Sequence, residues 1–117
     1  MAPLRVINLT RGHVLAERAT EAATFGRRLA GLLGRSSLAP GEALVITPCN
    51  AVHTLGMRFA IDIVFLDQDG LVLKTAANAP PWRFGPTARG AVQAIELPAG
   101  RLAATGTRPG DLITLER

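Results

Sequence analysis

The sequence predicts a mainly β protein, a compact β-barrel or sandwich-like domain with one short helix. Short runs of β-branched and aliphatic residues are separated by turns built on Gly, Pro, Asn and Asp. Only one segment has apolar residues at helical spacing. The 117 residues fit a single domain over residues 1–117, and 48% of them are hydrophobic, which suffices for a core without disulfides.

The strongest predicted strand covers residues 61–66, where β-branched and aromatic residues stand at nearly every position. A tight turn at residues 67–70 returns the chain to a partner strand at residues 71–75. Residues 76–90 are rich in Pro and Gly and are predicted to form a long irregular loop, a kind of segment that often carries function. The other predicted strands are residues 4–9, 13–18, 43–47, 91–97 and 112–115.

The one predicted helix covers about residues 25–33. Thr24 is placed to cap its start and Gly34 to end it. Its apolar positions fall at i, i+4, i+7 and i+8, so one face of the helix can pack on a sheet. These positions are Phe25, Leu29, Leu32 and Leu33.

Charge and cysteine content restrict the environment and the partners. The net charge is +4 and comes almost entirely from arginine, scattered from Arg5 to Arg117 without an accompanying aromatic platform, which argues against nucleic acid. Cys49 is the only cysteine, so no internal disulfide can form and we expect a cytoplasmic location. The N-terminus lacks the apolar stretch of a secretory signal, and no apolar run reaches the roughly 20 residues of a membrane span. We therefore expect a soluble protein.

The central run of the chain, Cys-Asn-Ala-Val-His-Thr-Leu-Gly-Met-Arg-Phe-Ala-Ile-Asp-Ile-Val-Phe-Leu-Asp at residues 49–67, is distinctive. It resembles the central signature of a small prokaryotic family called domain of unknown function one hundred and ninety-two. Residues 28–35 resemble the helix of that family, and residues 94–100 with Gly110 and Asp111 resemble its closing strands. The blocks occur in the family's order from about Arg18 to Leu115.

The resemblance implies a compact β-barrel or sandwich with one short helix. It implies no activity and no catalytic residues, because none is established for the family, and many of its members look exported. Two departures from the family pattern leave the fold unchanged. Ala60 stands where the pattern usually has Pro, and Leu29 and Ala30 differ from the residues most common at those positions of the family's helix.

The strongest candidates for a chemical role are His53, Met57 and Asp62. If residues 52–58 bend back on the following strand, the imidazole of His53 and the carboxylate of Asp62 could converge. They would then act together as a general base or as two metal ligands. The interpretation that we favour is structural: His53 hydrogen-bonds the backbone at a turn, while Met57 packs in the core. Cys49 and His53 supply only two ligands and match no zinc spacing, so we expect no metal.

Asp62 interrupts an otherwise apolar strand and shares a face with Val64 and Leu66. A carboxylate on an apolar face is costly unless it is paired, so a partner must exist. That partner is either nearby backbone N–H groups or an arginine. The candidate arginines are Arg58, Arg83 and Arg89.

Trp82 and Arg83 stand together in the irregular segment, after two prolines. An exposed Trp beside an Arg is a common recognition pair, although Trp82 could instead plug the open end of a barrel. Asp67, Asp69 and Gly70 distantly resemble a calcium loop, but the following ligands are missing and a hairpin turn explains them better. There is no Ser-centred elbow, P-loop or dinucleotide motif, so no cofactor is expected.

Two functional hypotheses follow. The first is a non-catalytic binding or accessory domain that recognises a small polar ligand, a glycan or a protein segment. The alternative is a small hydrolase or metal-assisted enzyme using His53 and Asp62, which requires those two side chains to approach each other. The absence of a recognisable catalytic set favours the first hypothesis. Its expected ligand-binding residues are His53, Met57, Arg58, Asp62, Trp82 and Arg83.

Overall fold

The computed structural model describes residues 4–22 and 38–117. Within these residues the chain forms nine strands and one short helix, so the prediction of a mainly β fold is confirmed. The strands are β1 (Leu4–Asn8), β2 (His13–Ala22), β3 (Glu42–Ile46), β4 (Ala51–His53), β5 (Ile61–Leu66), β6 (Val72–Ala79), β7 (Phe84–Thr87), β8 (Gln93–Pro98) and β9 (Ile113–Glu116), and the helix is α1 (Arg101–Thr105).

Seven strands form one curled sheet in the order β6-β5-β8-β3-β2-β1-β9, and β4 and β7 form a separate two-stranded ribbon. All neighbours in the large sheet are antiparallel except β2 and β3, which are parallel. A bridge between Leu71 and Leu112 joins the two outer strands near their first residues. The sheet is therefore a half-barrel that closes at one end.

Two hydrophobic clusters cover the two faces of this sheet. The inner cluster draws residues from all seven strands, for example Val6, Val64 and Ile95, and includes Leu102 of α1. The outer cluster lies on the other face, where Phe65 packs with Met57 and other residues of the connecting segments. All six residues of β5 are buried because both faces of this strand are covered.

The hairpin of β5 and β6 confirms the strongest sequence prediction. One carboxylate oxygen of Asp67 accepts hydrogen bonds from the backbone N–H groups of Asp69 and Leu71, both at 2.9 Å, so this aspartate shapes a turn. Gly70 has φ +87° and lies against β9, where an added Cβ would stand 2.4 Å from the carbonyl oxygen of Ile113. The turn and the closed end of the half-barrel are thus built together.

A buried polar cluster joins β1 to the segment before β9. Asn8 donates from Nδ2 to Asp111 Oδ2 at 2.9 Å, and Arg11 donates from Nε to the same oxygen at 2.8 Å. Burial raises the pKa of the Asp111 carboxyl, but the hydrogen bonds from Arg11, Asn8 and the Arg108 backbone, with the charge of Arg11, outweigh burial and lower it below its usual value. Asp111 is therefore held in the charged form.

The structure departs from the sequence prediction at several elements. The stretch at residues 76–90 was expected to be irregular, but β6 continues to Ala79, and β7 forms within it. The described residues contain their one helix at Arg101–Thr105, where none was predicted. The helix predicted over residues 25–33 lies outside the described residues. No helix in the described part of the chain is long and apolar enough to cross a membrane.

Candidate functional site

Thr54, which directly follows β4, organises the surface of the protein beside β7. Its side chain is fully buried. The hydroxyl donates to the Pro80 carbonyl oxygen at 2.6 Å and accepts from the Arg83 N–H at 2.9 Å. The Thr54 N–H donates to the Arg83 carbonyl oxygen at 2.9 Å, and the Thr54 carbonyl oxygen accepts from the Trp82 N–H at 2.8 Å. One residue thus fixes both ends of the turn at residues 80–83, called here the proline turn.

The proline turn and the start of β7 present two aromatic side chains to solvent. Trp82 is 64% exposed and Phe84 is 85% exposed. Trp82 has φ +62°, a left-handed conformation that costs a non-glycine residue about 1–2 kcal/mol. Burying an aromatic side chain of this size would contribute about 1.5–3 kcal/mol. The hydrogen bonds of Thr54 therefore fix a backbone conformation in which both rings stay outside the core.

His53 lies directly beside this aromatic pair. It ends β4 and stands opposite Phe84 in the ribbon register. The imidazole is half-buried, and its Nδ1 accepts a hydrogen bond from the Leu55 N–H at 3.2 Å. His53 therefore shapes the turn after β4 and also borders the exposed aromatic surface.

Met57 and Arg58 lie on the same connecting segment but face different surroundings. Met57 is 1% exposed and belongs to the outer hydrophobic cluster. Its N–H donates to the Thr54 carbonyl oxygen at 3.1 Å, which closes the segment into a turn. Arg58 follows and is exposed. Met57 thus supports the surface from below, while Arg58 contributes charge.

A groove separates the second half of β6 from β7. It is lined by residues 76–80 on one side and residues 83–86 on the other, and has a volume of about 360 Å³. This volume lies near the lower end of the roughly 300–1,000 Å³ typical of ligand sites. We call it the β6–β7 groove. Its lining residues are Ala76, Ala77, Asn78, Ala79, Pro80, Arg83, Phe84, Gly85 and Pro86.

Asp62 lies on the other side of the sheet from this surface. It is fully buried on the inner face of β5, which it shares with Val64 and Leu66 of the inner cluster. Its Oδ1 accepts from the Asn78 N–H at 2.9 Å and its Oδ2 from the Leu102 N–H at 2.8 Å. The expected arginine partner is thus wrong, and the expected backbone partners are right.

The two Asp62 bonds explain its place in an apolar strand. Asn78 has φ +53°, so one carboxylate oxygen fixes a left-handed residue near the end of β6. The other oxygen meets the first turn of α1, whose N-cap residue is Gly100 and offers no side-chain acceptor. Arg101 then ties α1 to β2 by donating to the carbonyl oxygens of Leu15 and Val14. Asp62 therefore organises the fold.

The structure thus gathers His53, Trp82 and Arg83 around Thr54, places Met57 beneath them, and leaves Asp62 inside the half-barrel. Both oxygens of Asp62 accept from backbone N–H groups and the His53 Nδ1 accepts from the Leu55 N–H, so the bonds of both side chains serve the local backbone rather than a catalytic pair. The described residues also contain no group of three or more His, Cys, Asp or Glu side chains placed to hold a metal.

Charge is unevenly distributed along the chain, and Arg83 of the groove belongs to a basic part of it. The segments at residues 43–61 and 71–95 contain no acidic residue, whereas the remaining sequence balances nine basic against nine acidic residues. The basic residues of these two segments therefore supply the whole net charge of +4. All are exposed, and Lys74 donates from Nζ to the Thr87 carbonyl oxygen at 2.8 Å. They are Arg58, Lys74, Arg83 and Arg89.

These features define a small half-barrel β domain with an exposed aromatic and basic surface. The chain belongs to the DUF192 family, described as "Uncharacterized ACR", whose model matches residues 6–115. The family resemblance found in the sequence is thereby confirmed. A curated relative, a UPF0127 protein of Pyrococcus furiosus, is 32% identical over 118 residues, covering 96% of this chain and 98% of the relative.

Two crystal structures have the same fold. One is a protein of unknown function from Novosphingobium aromaticivorans, with a TM-score of 0.79 and 27% identity over 96% of this chain and 83% of that chain. The other is a proposed transcription regulator from Sinorhizobium meliloti, with a TM-score of 0.79 and 23% identity over 96% of this chain and 91% of that chain. The second shows likeness of fold alone.

Sequence reasoning missed two residues of this surface. Phe84 carried a usable signal, since an aromatic residue follows Trp-Arg within a segment rich in Pro and Gly. Thr54 carried none, because its hydroxyl partners, Pro80 and Arg83, lie 26 and 29 residues away. The absence of acidic residues from two long segments was visible in the sequence and indicates the basic surface.

Proposed function

We propose that this protein is a non-catalytic binding domain that holds a segment of another protein in the β6–β7 groove, which Phe84 lines, with Trp82 exposed in the adjoining proline turn. The observation that supports this most strongly is the exposure of the two rings. Four hydrogen bonds of Thr54 to the proline turn hold Trp82 in a left-handed conformation while its side chain stays in solvent. Backbone strain and exposed aromatic area of this kind concentrate at binding sites.

The lining of the groove favours a protein segment over a glycan or a small polar ligand. Only Asn78 and Arg83 among the lining residues have polar side chains. A sugar buried there would leave most of its hydroxyl groups without partners, and each such group costs free energy. A peptide can place apolar side chains on Ala76, Ala79 and Phe84. Aromatic and arginine side chains are also enriched among residues that dominate protein interfaces.

Peptide selection tests this proposal with a defined probe. A displayed library of random dodecapeptides is selected on immobilised full-length protein and counter-selected on a Trp82→Ala/Phe84→Ala double variant. We expect enriched peptides that bind the wild type at least tenfold more tightly than the double variant. Since both side chains are exposed, the double variant should unfold at the denaturant concentration of the wild type, which is checked first. Peptides that bind both proteins equally, or no enrichment above the bare matrix, would refute the proposal.

A cytoplasmic location is part of the same proposal. It is supported by the single cysteine, Cys49, which allows no internal disulfide. Fractionation of cells that carry the full-length chain at its natural level tests it. We expect the protein in the cytoplasmic fraction, and recovery in the membrane or extracytoplasmic fraction would contradict this location.

A further inference from the structure

We infer that the segment bound in the β6–β7 groove is acidic and binds in an extended conformation, as an added strand on the open edge of β6. This inference rests on the proposed binding function and specifies its partner. It joins three independent features: an unpaired strand edge, a groove floor of small side chains, and a border of basic residues without acidic ones.

The first feature is the edge of β6. This strand is eight residues long and ends the order of the large sheet, with β5 as its neighbour. On its other side, Val72 exchanges backbone hydrogen bonds with Gly110 and Asp111. Beyond Val72, within residues 4–22 and 38–117, no further backbone bond reaches that outer edge. Unpaired N–H and C=O groups along a strand edge are a template for another strand.

The opposite end of the sheet differs in this respect. Strand β9 has four residues, and the N–H of its first residue, Ile113, already donates to the Gly70 carbonyl oxygen at 2.9 Å. The open part of β6 runs over residues 73–77, about 16 Å at roughly 3.3 Å per residue. A partner of about five residues can pair along this length, so β6 is the better edge for strand addition.

The second feature is what lies beside that edge. Ala76 and Ala77 offer little side-chain bulk, so a second backbone can approach β6 closely. Strand β7 forms the far wall and carries Phe84, on which alternate side chains of an added strand can pack. Between β6 and β7 the Lys74 side chain reaches the Thr87 carbonyl oxygen, whereas no backbone hydrogen bond joins the two strands in the described part.

The third feature decides the charge of the partner. Arg83 lines the groove immediately before β7, and Lys74 lies on β6 and reaches the Thr87 carbonyl oxygen of β7. Arg89 follows β7, and all three residues are exposed. Residues 43–61 and 71–95 contain no carboxylate, and those of the β5–β6 hairpin are the buried Asp62 and the two in its turn, Asp67 and Asp69. A positive border of this kind attracts a negative partner and speeds its association. Single-stranded nucleic acid is also negative, but it lacks the alternating N–H and C=O groups that the edge of β6 can pair.

A synthetic probe separates these alternatives. The probe is a fluorescein-labelled heptapeptide of alternating glutamate and valine, titrated into the full-length protein, with the lysine–valine version and an unlabelled oligo(dT) as comparisons. We expect the glutamate peptide to bind at least tenfold more tightly than the lysine peptide, with an affinity that falls as salt rises. Absence of binding up to about 1 mM, or tighter binding of oligo(dT) than of the peptide, overturns the inference.

Backbone methylation tests the added strand itself. Two versions of the glutamate peptide carry N-methyl groups at alternate positions, one version on the odd residues and one on the even residues. In an added strand only one set of N–H groups faces β6. We therefore expect one version to lose at least tenfold in affinity and the other to bind within about threefold of the parent. Equal effects of the two versions overturn the added strand.

Charge variants complete the test. Lys74→Gln and Arg83→Gln should each weaken the glutamate peptide at least threefold and reduce its dependence on salt. Arg108→Gln removes an exposed arginine outside the two segments and should change the affinity less than twofold. An equal effect of all three variants contradicts a local basic border. If library peptides depend on Trp82 and Phe84 but are not acidic, this inference fails while the proposed binding function stands.

Discussion

Thr54 and Arg83 exchange two hydrogen bonds, each of 2.9 Å. The Thr54 N–H donates to the Arg83 carbonyl oxygen, and the Arg83 N–H donates to the Thr54 hydroxyl. This reciprocal pair, between a buried threonine after β4 and an exposed arginine before β7, fixes the backbone that presents Trp82 and Phe84. The proposed binding surface therefore depends on a residue that no ligand needs to touch.

Replacement of Thr54 by valine should loosen this surface. Thr54→Val keeps the shape but removes the hydroxyl, which leaves the Pro80 carbonyl and the Arg83 N–H without that partner. We expect a loss of about 1–3 kcal/mol in the free energy of unfolding, measured with urea, and weaker binding of the selected peptides. Thr54→Ser keeps the hydroxyl and should remain close to wild type in binding. Equal binding by the valine and serine variants would show that the hydroxyl does not position the surface.

Asp62 should be far more important for stability than Asp67, although each accepts two backbone hydrogen bonds. Asp62 is fully buried, so Asp62→Ala leaves N–H groups that water reaches poorly. We expect a cost of about 2–4 kcal/mol for Asp62→Ala and of about 1 kcal/mol or less for Asp67→Ala, whose partners can bind water. Chemical denaturation of the two variants measures the difference, and similar costs would contradict the assigned role of burial.

Gly70 should tolerate a side chain less well than Gly12, although both have positive φ. At Gly12 nothing lies within 4 Å of an added Cβ, so Gly12→Ala carries the conformational cost alone, about 1–2 kcal/mol. At Gly70 the Cβ would meet the Ile113 carbonyl oxygen at 2.4 Å, and we expect a further 1–3 kcal/mol, roughly the cost of overpacking. Thermal melting of both variants compares them. Equal losses would mean that the contact of Gly70 with β9 is absent in solution.

Asp111 should make the free energy of unfolding depend on pH in the acidic range. Its pKa is lowered in the folded protein, so its contribution is complete above its ordinary pKa of about 3.9 and is lost as the pH falls through the lowered value. The difference in unfolding free energy between wild type and Asp111→Asn should be largest above about pH 5 and should shrink on acidification. Asp69→Asn removes an exposed carboxyl and serves as the control. A constant difference between wild type and Asp111→Asn from pH 3 to about pH 6 would contradict this account.

The hairpin of β5 and β6 was predictable because its determinants are local. Residues 61–66 are nearly all β-branched or aromatic, and Asp67 supplies the turn from within the same segment. The family resemblance was equally local, since it depends on a continuous run of residues. The helix predicted over residues 25–33 lies outside the described residues and stays a prediction.

The ribbon of β4 and β7 and the helix α1 were not predictable, because distant residues determine them. Strand β4 has only three residues. Its partner β7 contains Gly85 and Pro86, which are typical of a loop. Helix α1 follows a glycine N-cap, and its Leu102 N–H finds an acceptor in Asp62, forty residues earlier. The anomaly of Asp62 was visible in the sequence, but its backbone partners depend on how β6 and α1 fold around it.

Fluorescence of Trp82 tests the central claim most directly. Trp82 is the only tryptophan and the chain has no tyrosine, so its emission reports one exposed site without interference. In the free protein we expect emission typical of an indole in water, and strong quenching by added iodide. Saturation with the glutamate–valine peptide should shift the emission to shorter wavelength and protect it from iodide, because the peptide covers the ring. Peptide binding that leaves both the emission and the quenching unchanged would contradict the assignment of this surface.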